Sequence, residues 1–201
     1  KESGIKELKD FIGKKVGVYH DHLPVYRAML RNAGINESQL NMVPVKYDIT
    51  PLLTGQFDVW PGYVINEPLL AEEKGFEVNI IWPSDYNVSY YSMTLFTTED
   101  LIKNKPDLVK RFVKATLEGW RYAYEHPEEA VNYTLMYSDQ LNREHETKMM
   151  LASLELLKPD DKPIGYMDRE GWENIQNTLL ESGDLKNPVD ISKVYTTQFL
   201  E

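Results

Sequence analysis

The chain has 201 residues, of which 42% are hydrophobic and 27% charged, as in globular proteins that bury a substantial core. Its formal net charge of −10 argues against nucleic acid and anionic membrane surfaces as partners, since both bind clustered Lys and Arg. The sequence has no cysteine, which excludes disulfides, thiolate catalysis and cysteine-ligated metal centres. No apolar run has the length of a transmembrane helix.

The first ninety residues alternate short apolar runs with helix-start signals. Residues 16–19, 41–46, 57–60 and 76–82 are predicted strands. Predicted helices between them begin at Pro24, at Thr50 and at Asn66, and end near Gly34, Gly55 and Gly75. This alternation predicts an α/β unit with a largely parallel sheet covered by helices.

After one more predicted strand at residues 93–98, the sequence becomes helical. Pro106 and Pro127 are predicted to open helices, Asn142 and Asp168 to cap two more, and Gly183 to end the last. The inward stripe of the Pro106 helix is predicted to comprise Leu108, Val109, Phe112, Val113, Leu117, Trp120 and Tyr124. We therefore expect two domains, residues 1–91 and residues 92–201.

Aromatic and acidic residues follow the predicted strands of the first domain. In an open parallel sheet, ligands bind beyond the carboxyl ends of the strands. Tyrosine rings can stack on a flat heteroaromatic molecule there while carboxylates accept hydrogen bonds from its amines. The candidate ligand-binding residues are Tyr19, His20, Asp21, Tyr47, Asp48, Gly62, Tyr63, Asn66, Glu67, Tyr86 and Tyr91.

Each candidate also has a structural alternative. A single ring can merely cover the end of the sheet, Asn66 can cap a helix, Glu67 can complement a helix dipole, and Asp48 can cap a turn. The His20-Asp21-His22 run invites a metal interpretation, but an extended segment directs the two imidazoles to opposite faces, and zinc needs further ligands. We expect His20 to form part of the cleft wall, and we expect no metal, no cofactor and no catalytic residue.

Three segments resemble landmarks of bacterial periplasmic solute-binding proteins. Residues 4–18 (GIKELKDFIGKKVGV) resemble the opening of their second lobe, and residues 52–63 (LLTGQFDVWPGY) resemble the next landmark. Residues 97–120 with HPEEA at 126–130 resemble the return to the first lobe. The most similar group is the one related to thiamine-pyrimidine synthases, whose members bind pyrimidine precursors, riboflavin or similar compounds for ABC importers.

The resemblance implies a type II periplasmic-binding-protein-like fold, in which two α/β lobes with parallel-rich sheets close on a ligand as a Venus flytrap. The family normally has a further half-lobe before the Gly4 segment, and we expect that half-lobe to be absent here. Residues 1–91 would then be a complete second lobe and residues 92–201 part of the first. We expect an uncovered apolar surface that favours an oligomer or a domain swap.

The resemblance implies a non-enzymatic protein, periplasmic or extracellular, soluble or lipoprotein-anchored, although no signal sequence is visible. It would deliver a small heteroaromatic ligand to the membrane subunits of an ABC importer. One alternative is an extracytoplasmic ligand-sensing domain of a membrane signalling protein. Another is a pyrimidine synthase, but those enzymes carry a cysteine-rich iron-binding motif, which this chain lacks.

Overall fold

The computed structural model describes residues 3–157 and 162–200, which form a helix-rich α/β structure with a small parallel sheet. The chain divides into two compact units. Unit 1 comprises Lys1–Tyr90 and Glu173–Val189, and unit 2 comprises Tyr91–Trp172 and Asp190–Glu201. These units are sets of mutual contacts, and the assignment of residues 1–91 and 92–201 to two lobes stays a prediction.

One specific contact joins the stretch Glu173–Val189 to the rest of unit 1: the Arg31 guanidinium forms an ion pair with Glu181. Within the stretch itself, the Val189 backbone N–H donates to the Gln176 side-chain oxygen over 2.6 Å. Both contacts involve polar groups far apart in the sequence or across a turn, so the strand and helix patterns of the sequence did not indicate them.

The sheet of unit 1 is built on β1 (Lys15–Val18), which pairs in parallel with β2 (Asn41–Pro44). On its other side, Val16 forms a parallel bridge with Val59, and the Gly17 N–H donates to the Val59 carbonyl over 2.9 Å. Three chain segments therefore run in the same direction. Their carboxyl ends lie at one edge of the sheet, as the sequence predicted.

Three predicted strands do not form in the described residues. Residues 57–60 make only the bridge at Val59, and residues 76–82 and 93–98 carry no strand assignment. A strand needs a neighbouring backbone to complete its ladder, and apolar periodicity alone does not supply one. Residues 76–82 are instead tied to unit 1 by side chains, for example by the Asn79 amide, which donates to the Ile5 carbonyl over 2.7 Å.

The helices of unit 1 are α1 (Leu23–Asn32), α2 (Thr50–Leu53) and α3 (Glu67–Glu73), together with the later part of α8 (Arg169–Ser182). Pro24 lies in the first turn of α1, and Gly34 after its end has a φ of +70°, which a glycine adopts without strain. A short 3-10 helix (Leu8–Phe11) packs with α1 on the sheet. The buried core comprises Ile5, Leu8, Phe11, Val16, Val18, Ala28, Met29, Leu30, Ile35 and Val88.

Unit 2 contains α4 (Glu99–Asn104), α5 (Pro106–Glu125), α6 (Pro127–Leu135), α7 (Arg143–Leu157) and the beginning of α8 (Arg169–Ser182). The predicted caps are confirmed. The Asn142 oxygen accepts the His145 N–H over 3.1 Å, and the Asp168 carboxylate accepts the Gly171 N–H over 2.9 Å.

The predicted inward stripe of α5 is wrong in part. Val109 and Leu117 are buried, but Leu108, Phe112 and Trp120 are exposed to 41%, 59% and 44%. A helical stripe is buried only where another layer covers it, and the described residues cover only a part of this one. In the part of the chain that the structure describes, no helix is both long and apolar enough to span a bilayer.

Candidate functional site

Tyr19 is the first residue after β1 and lies at the carboxyl edge of the sheet. Its side chain is only 2% exposed, and the ring of Tyr47, which follows β2, lies 4.3 Å away between centroids at a tilt of 37°. Tyr47 itself is 67% exposed. The pair therefore presents a buried ring covered by a ring that faces solvent, which offers an aromatic surface for stacking.

Glu67, the first residue of α3, places a carboxylate beside these rings. It is 8% exposed, which is rare for a charged residue. One oxygen accepts the Tyr63 backbone N–H over 2.7 Å, and the other lies 3.5 Å from the Tyr19 hydroxyl. Burial raises the pKa of Tyr19 to about 12, and the charge of Glu67 adds to the rise. Tyr19 is therefore a protonated phenol at neutral pH.

His22 and Tyr63 extend the aromatic group. A short 3-10 helix (His20–His22) returns the His22 ring to 5.3 Å from that of Tyr19, edge to face. The Tyr63 hydroxyl lies 3.4 Å from His22 Nε2, and the two rings are 5.6 Å apart. We call Tyr19, His22, Tyr47, Tyr63 and Glu67 the tyrosine cluster.

Gly62 and Trp60 fix the segment that follows Val59. A Cβ on Gly62 would lie 2.8 Å from the Cβ of Glu67, so the absence of a side chain allows the carboxylate to approach the backbone. The Trp60 indole N–H is buried and has no hydrogen-bond partner of ordinary geometry among the described residues. It lies near enough to the Tyr19 oxygen to offset part of the rise in the pKa of Tyr19.

Asp21 brings a second negative charge to this edge. Burial raises the pKa of Tyr63 and of Tyr90, and the charge of Asp21 contributes to both rises. The phenols of Tyr19 and Tyr63 are thus held in their neutral form by burial and by acidic neighbours. At neutral pH they are hydrogen-bond donors and stacking surfaces.

Two other candidate ligand-binding residues at this edge, Asp48 and Asn66, occupy the capping positions that the sequence analysis gave as structural alternatives. Asp48 accepts the Thr50 backbone N–H over 3.0 Å at the start of α2, and hydrogen bonds from Thr50 lower the pKa of its carboxyl. Asn66 lies at the N-cap position of α3. Their placement as ligand contacts stays a prediction.

Three other predicted residues have surroundings of their own. His20 is exposed. The Tyr86 hydroxyl accepts the Leu8 backbone N–H over 2.8 Å and packs against the core of unit 1. Tyr91 belongs to unit 2, where its hydroxyl donates to Asp168 over 3.1 Å and its ring lies 5.5 Å from Trp172.

The sequence-based candidates did not include His22, although it joins Tyr19 to Tyr63. The sequence analysis predicted an extended segment, in which the His22 side chain points to the face opposite that of His20. The 3-10 turn at residues 20–22 gives the His22 side chain a different direction. The three-residue spacing from Tyr19 to His22 could have predicted that their side chains lie on the same side of the turn, because residues i and i+3 eclipse in a 3-10 helix. No group of three His, Cys, Asp or Glu residues with the geometry of a metal site occurs among the described residues.

An open surface depression lies elsewhere, at the start of α7 in unit 2. It is lined by Asn142, Arg143, Glu144, Thr147 and Lys148, which belong to one helical turn and its cap. Asn142 is engaged as the cap of the helix, and Glu144 and Lys148 form an ion pair across one turn. The polar groups of these residues are therefore used in contacts within the helix, and we assign the depression no role.

The tyrosine cluster combines three kinds of chemical group: aromatic faces, neutral phenol donors and one buried carboxylate acceptor. Groups of these kinds are chemically suited to a flat molecule that carries N–H or O–H donors on its rim.

Comparison with known proteins places this geometry in a family context. The sequence profile described as NMT1/THI5 like matches residues 1–130. The chain is 28% identical over 174 residues to a formylaminopyrimidine-binding protein from Halalkalibacterium halodurans, which covers 83% of this chain and 52% of that protein.

Two further relatives extend over nearly the whole chain. A protein named riboflavin-binding protein RibY, from Chloroflexus aurantiacus, is 23% identical over 98% of this chain and 58% of its own length. A 4-amino-5-hydroxymethyl-2-methylpyrimidine phosphate synthase from Legionella pneumophila is also 23% identical, over 100% of this chain and 64% of its own length. The chain therefore spans between about half and two thirds of the relatives that it matches.

Proposed function

Because the chain belongs to the NMT1/THI5-like family, we propose that it is a non-enzymatic solute-binding protein that captures a small heteroaromatic compound for an ABC importer. The observation that carries the proposal is the tyrosine cluster, in which aromatic rings surround the buried Glu67 carboxylate at the carboxyl edge of a parallel sheet. Relatives named for binding a formylaminopyrimidine and riboflavin support this class of ligand.

The proposal assigns the cluster to one wall of a cleft between two lobes, which close on the ligand. The stacking residues are Tyr47 and Tyr63, and the polar anchor is Glu67. Capture for an importer takes place outside the cytoplasm, so the proposal includes a periplasmic or extracellular location and contact with importer membrane subunits.

Calorimetric titration with riboflavin and with 4-amino-5-hydroxymethyl-2-methylpyrimidine tests the proposal. We expect at least one of them to bind. Glu67→Ala and Tyr63→Ala should each weaken binding by about 1–3 kcal/mol, because a buried polar group or a stacking face loses its partner. That loss corresponds to roughly 5- to 150-fold in Kd.

Matched controls separate the cluster from general effects of truncation. Glu72→Ala removes an exposed carboxylate from the same helix, and Tyr137→Ala removes a ring that is 89% exposed in unit 2. Neither should change Kd. Unchanged affinity in both Glu67→Ala and Tyr63→Ala, with circular dichroism showing that they fold, would exclude the tyrosine cluster as the binding site. Native mass spectrometry of the purified protein would identify a retained ligand directly.

A pyrimidine synthase activity is the second candidate, because one relative that aligns with the entire chain is named a synthase. Incubation of the protein with a pyridoxal-type cofactor and iron, followed by mass spectrometry, tests it. Formation of a pyrimidine product would replace the binding proposal with the enzymatic one.

A further inference from the structure

We infer that the tyrosine cluster selects the unphosphorylated form of its heteroaromatic ligand and rejects the corresponding phosphate ester; this inference rests on the proposed function. It concerns the sign of charge at the site rather than the shape of the ring. Four observations on the charged and polar groups of unit 1 support it.

The first observation is that the negative charge of Glu67 is not balanced by a cation. Its oxygens contact a backbone N–H and a phenol hydroxyl, which are neutral donors. None of the ion pairs among the described residues includes Glu67. A charge that is only 8% exposed is weakly screened by solvent and salt.

The second observation is that Asp21 adds to the same field. Its charge contributes to the raised pKa of both Tyr63 and Tyr90, so it lies close enough to act on the rim of the cluster. Asp21 is exposed, and its contribution is therefore sensitive to salt.

The third observation concerns the groups that ordinarily bind phosphate, namely Arg or Lys side chains and free backbone N–H groups. The Tyr63 N–H, which faces the cluster, is already occupied by Glu67 at 2.7 Å. The basic side chains on the segments that build the cluster are His20, His22 and Lys46. Among the described residues, none of the three pairs with Glu67 or Asp21, and Lys46 is exposed.

The fourth observation is that Glu67 lies directly beside the aromatic rings. One of its oxygens is 3.5 Å from the Tyr19 hydroxyl, and the Tyr19 ring is 4.3 Å from that of Tyr47. A phosphate monoester carries a charge between about −1.5 and −2 at neutral pH. A ring seated on these tyrosines would bring that charge into the field of Glu67 and Asp21, and like charges in a desolvated site repel strongly.

Two matched ligand pairs test this inference by calorimetry. They are riboflavin with riboflavin 5′-phosphate, and 4-amino-5-hydroxymethyl-2-methylpyrimidine with its phosphate. For a pair whose unphosphorylated member binds, we expect the phosphate to bind at least about tenfold more weakly, which is about 1.4 kcal/mol.

Variants distinguish charge from size as the cause. Glu67→Gln keeps an oxygen that can accept the Tyr63 N–H but removes the charge, and Asp21→Asn does the same at the rim. Both should reduce the discrimination severalfold, and for Asp21 the effect should shrink as salt increases. Glu72→Gln, an exposed change in the same helix, should leave it unaltered.

The outcomes separate the two proposals. Equal or tighter binding of the phosphate would overturn the selectivity and leave the binding function intact. Discrimination that persists unchanged in both Glu67→Gln and Asp21→Asn would assign it to size and overturn the charge argument. If no member of either pair binds, the proposed function fails and the selectivity fails with it.

Discussion

Replacing Gly62 with alanine tests whether the close approach of Glu67 to the backbone organises the site. The new Cβ would lie 2.8 Å from the Glu67 Cβ, 3.2 Å from its Cγ and 3.0 Å from Oε2. Carbon atoms pack favourably at about 3.5–4.0 Å, so one of the two backbones has to shift by roughly 0.7 Å. The nearest atom is attached directly to the backbone of α3, and rotation of the Glu67 side chain cannot relieve the clash.

We expect Gly62→Ala to lower the free energy of unfolding by about 1–3 kcal/mol, the usual cost of overpacking. For a chain of this size, that corresponds to a fall in Tm of about 2–12 °C. The shift should also lengthen the 2.7 Å hydrogen bond from the Tyr63 N–H to Glu67, so ligand affinity should fall with stability.

Gly119→Ala is the matched control. Gly119 lies inside α5, and a Cβ there meets no atom within 4 Å. Alanine is favoured over glycine in a helix interior by about 0.5–1 kcal/mol, so this variant should be slightly more stable. Urea unfolding followed by circular dichroism measures both. If Gly62→Ala is as stable as the unsubstituted protein and binds equally well, the close approach of Glu67 to Gly62 does not organise the site.

The remaining predictions concern the core and alkaline pH. Leu8→Ala should cost about 2–5 kcal/mol of unfolding free energy, because Leu8 is 0% exposed and its loss leaves a cavity. Leu151→Ala, at a site that is 52% exposed, should change the unfolding free energy by no more than about 0.5 kcal/mol. Equal losses for Leu8→Ala and Leu151→Ala in urea unfolding would contradict the prediction. The free energy of unfolding should fall as pH rises from 10.0 to about 12, because folded Tyr19 keeps a proton that the unfolded chain releases. The unfolding free energy of the Tyr19→Phe variant, measured at several pH values, should fall less over that range. An identical decline in both proteins would show that Tyr19 does not cause it.

Local signals predicted the helices of this chain well. Pro24 and Pro106 lie in the first turns of α1 and α5, and Asn142 and Asp168 cap the helices that they were predicted to cap. Each of these signals acts within one turn of the chain, so the sequence carries it directly.

Strand pairing and burial were predicted less well, because both depend on distant segments. Residues 76–82 have the apolar character of a strand, yet Ile80 and Trp82 are 45% and 42% exposed and no ladder forms there. Phe112 follows the helical stripe of α5 but is 59% exposed. Periodicity identifies the face of an element, while a second layer decides whether that face is buried.

The candidate site shows the same distinction. Tyr19, Tyr63 and Glu67 were predicted together because parallel strand ends share an edge, and contacts join them. Tyr86 satisfied the same pattern but accepts a core N–H instead. Whether a tyrosine hydroxyl turns toward a cleft or toward a backbone donor depends on tertiary packing, which residue type does not specify.

The parallel alignment of β1, β2 and Val59 bears on which of the residues that follow them can be replaced. Tyr19 directly follows β1, Tyr47 follows β2 by a short turn, and Tyr63 follows the bridge at Val59. The backbone pairing fixes where the three segments end, and it does not depend on which side chains follow them. Because Tyr47 is 67% exposed and Tyr19 only 2%, a substitution at Tyr47 alters the aromatic surface without removing a buried ring, whereas a substitution at Tyr19 also disturbs the packing behind it.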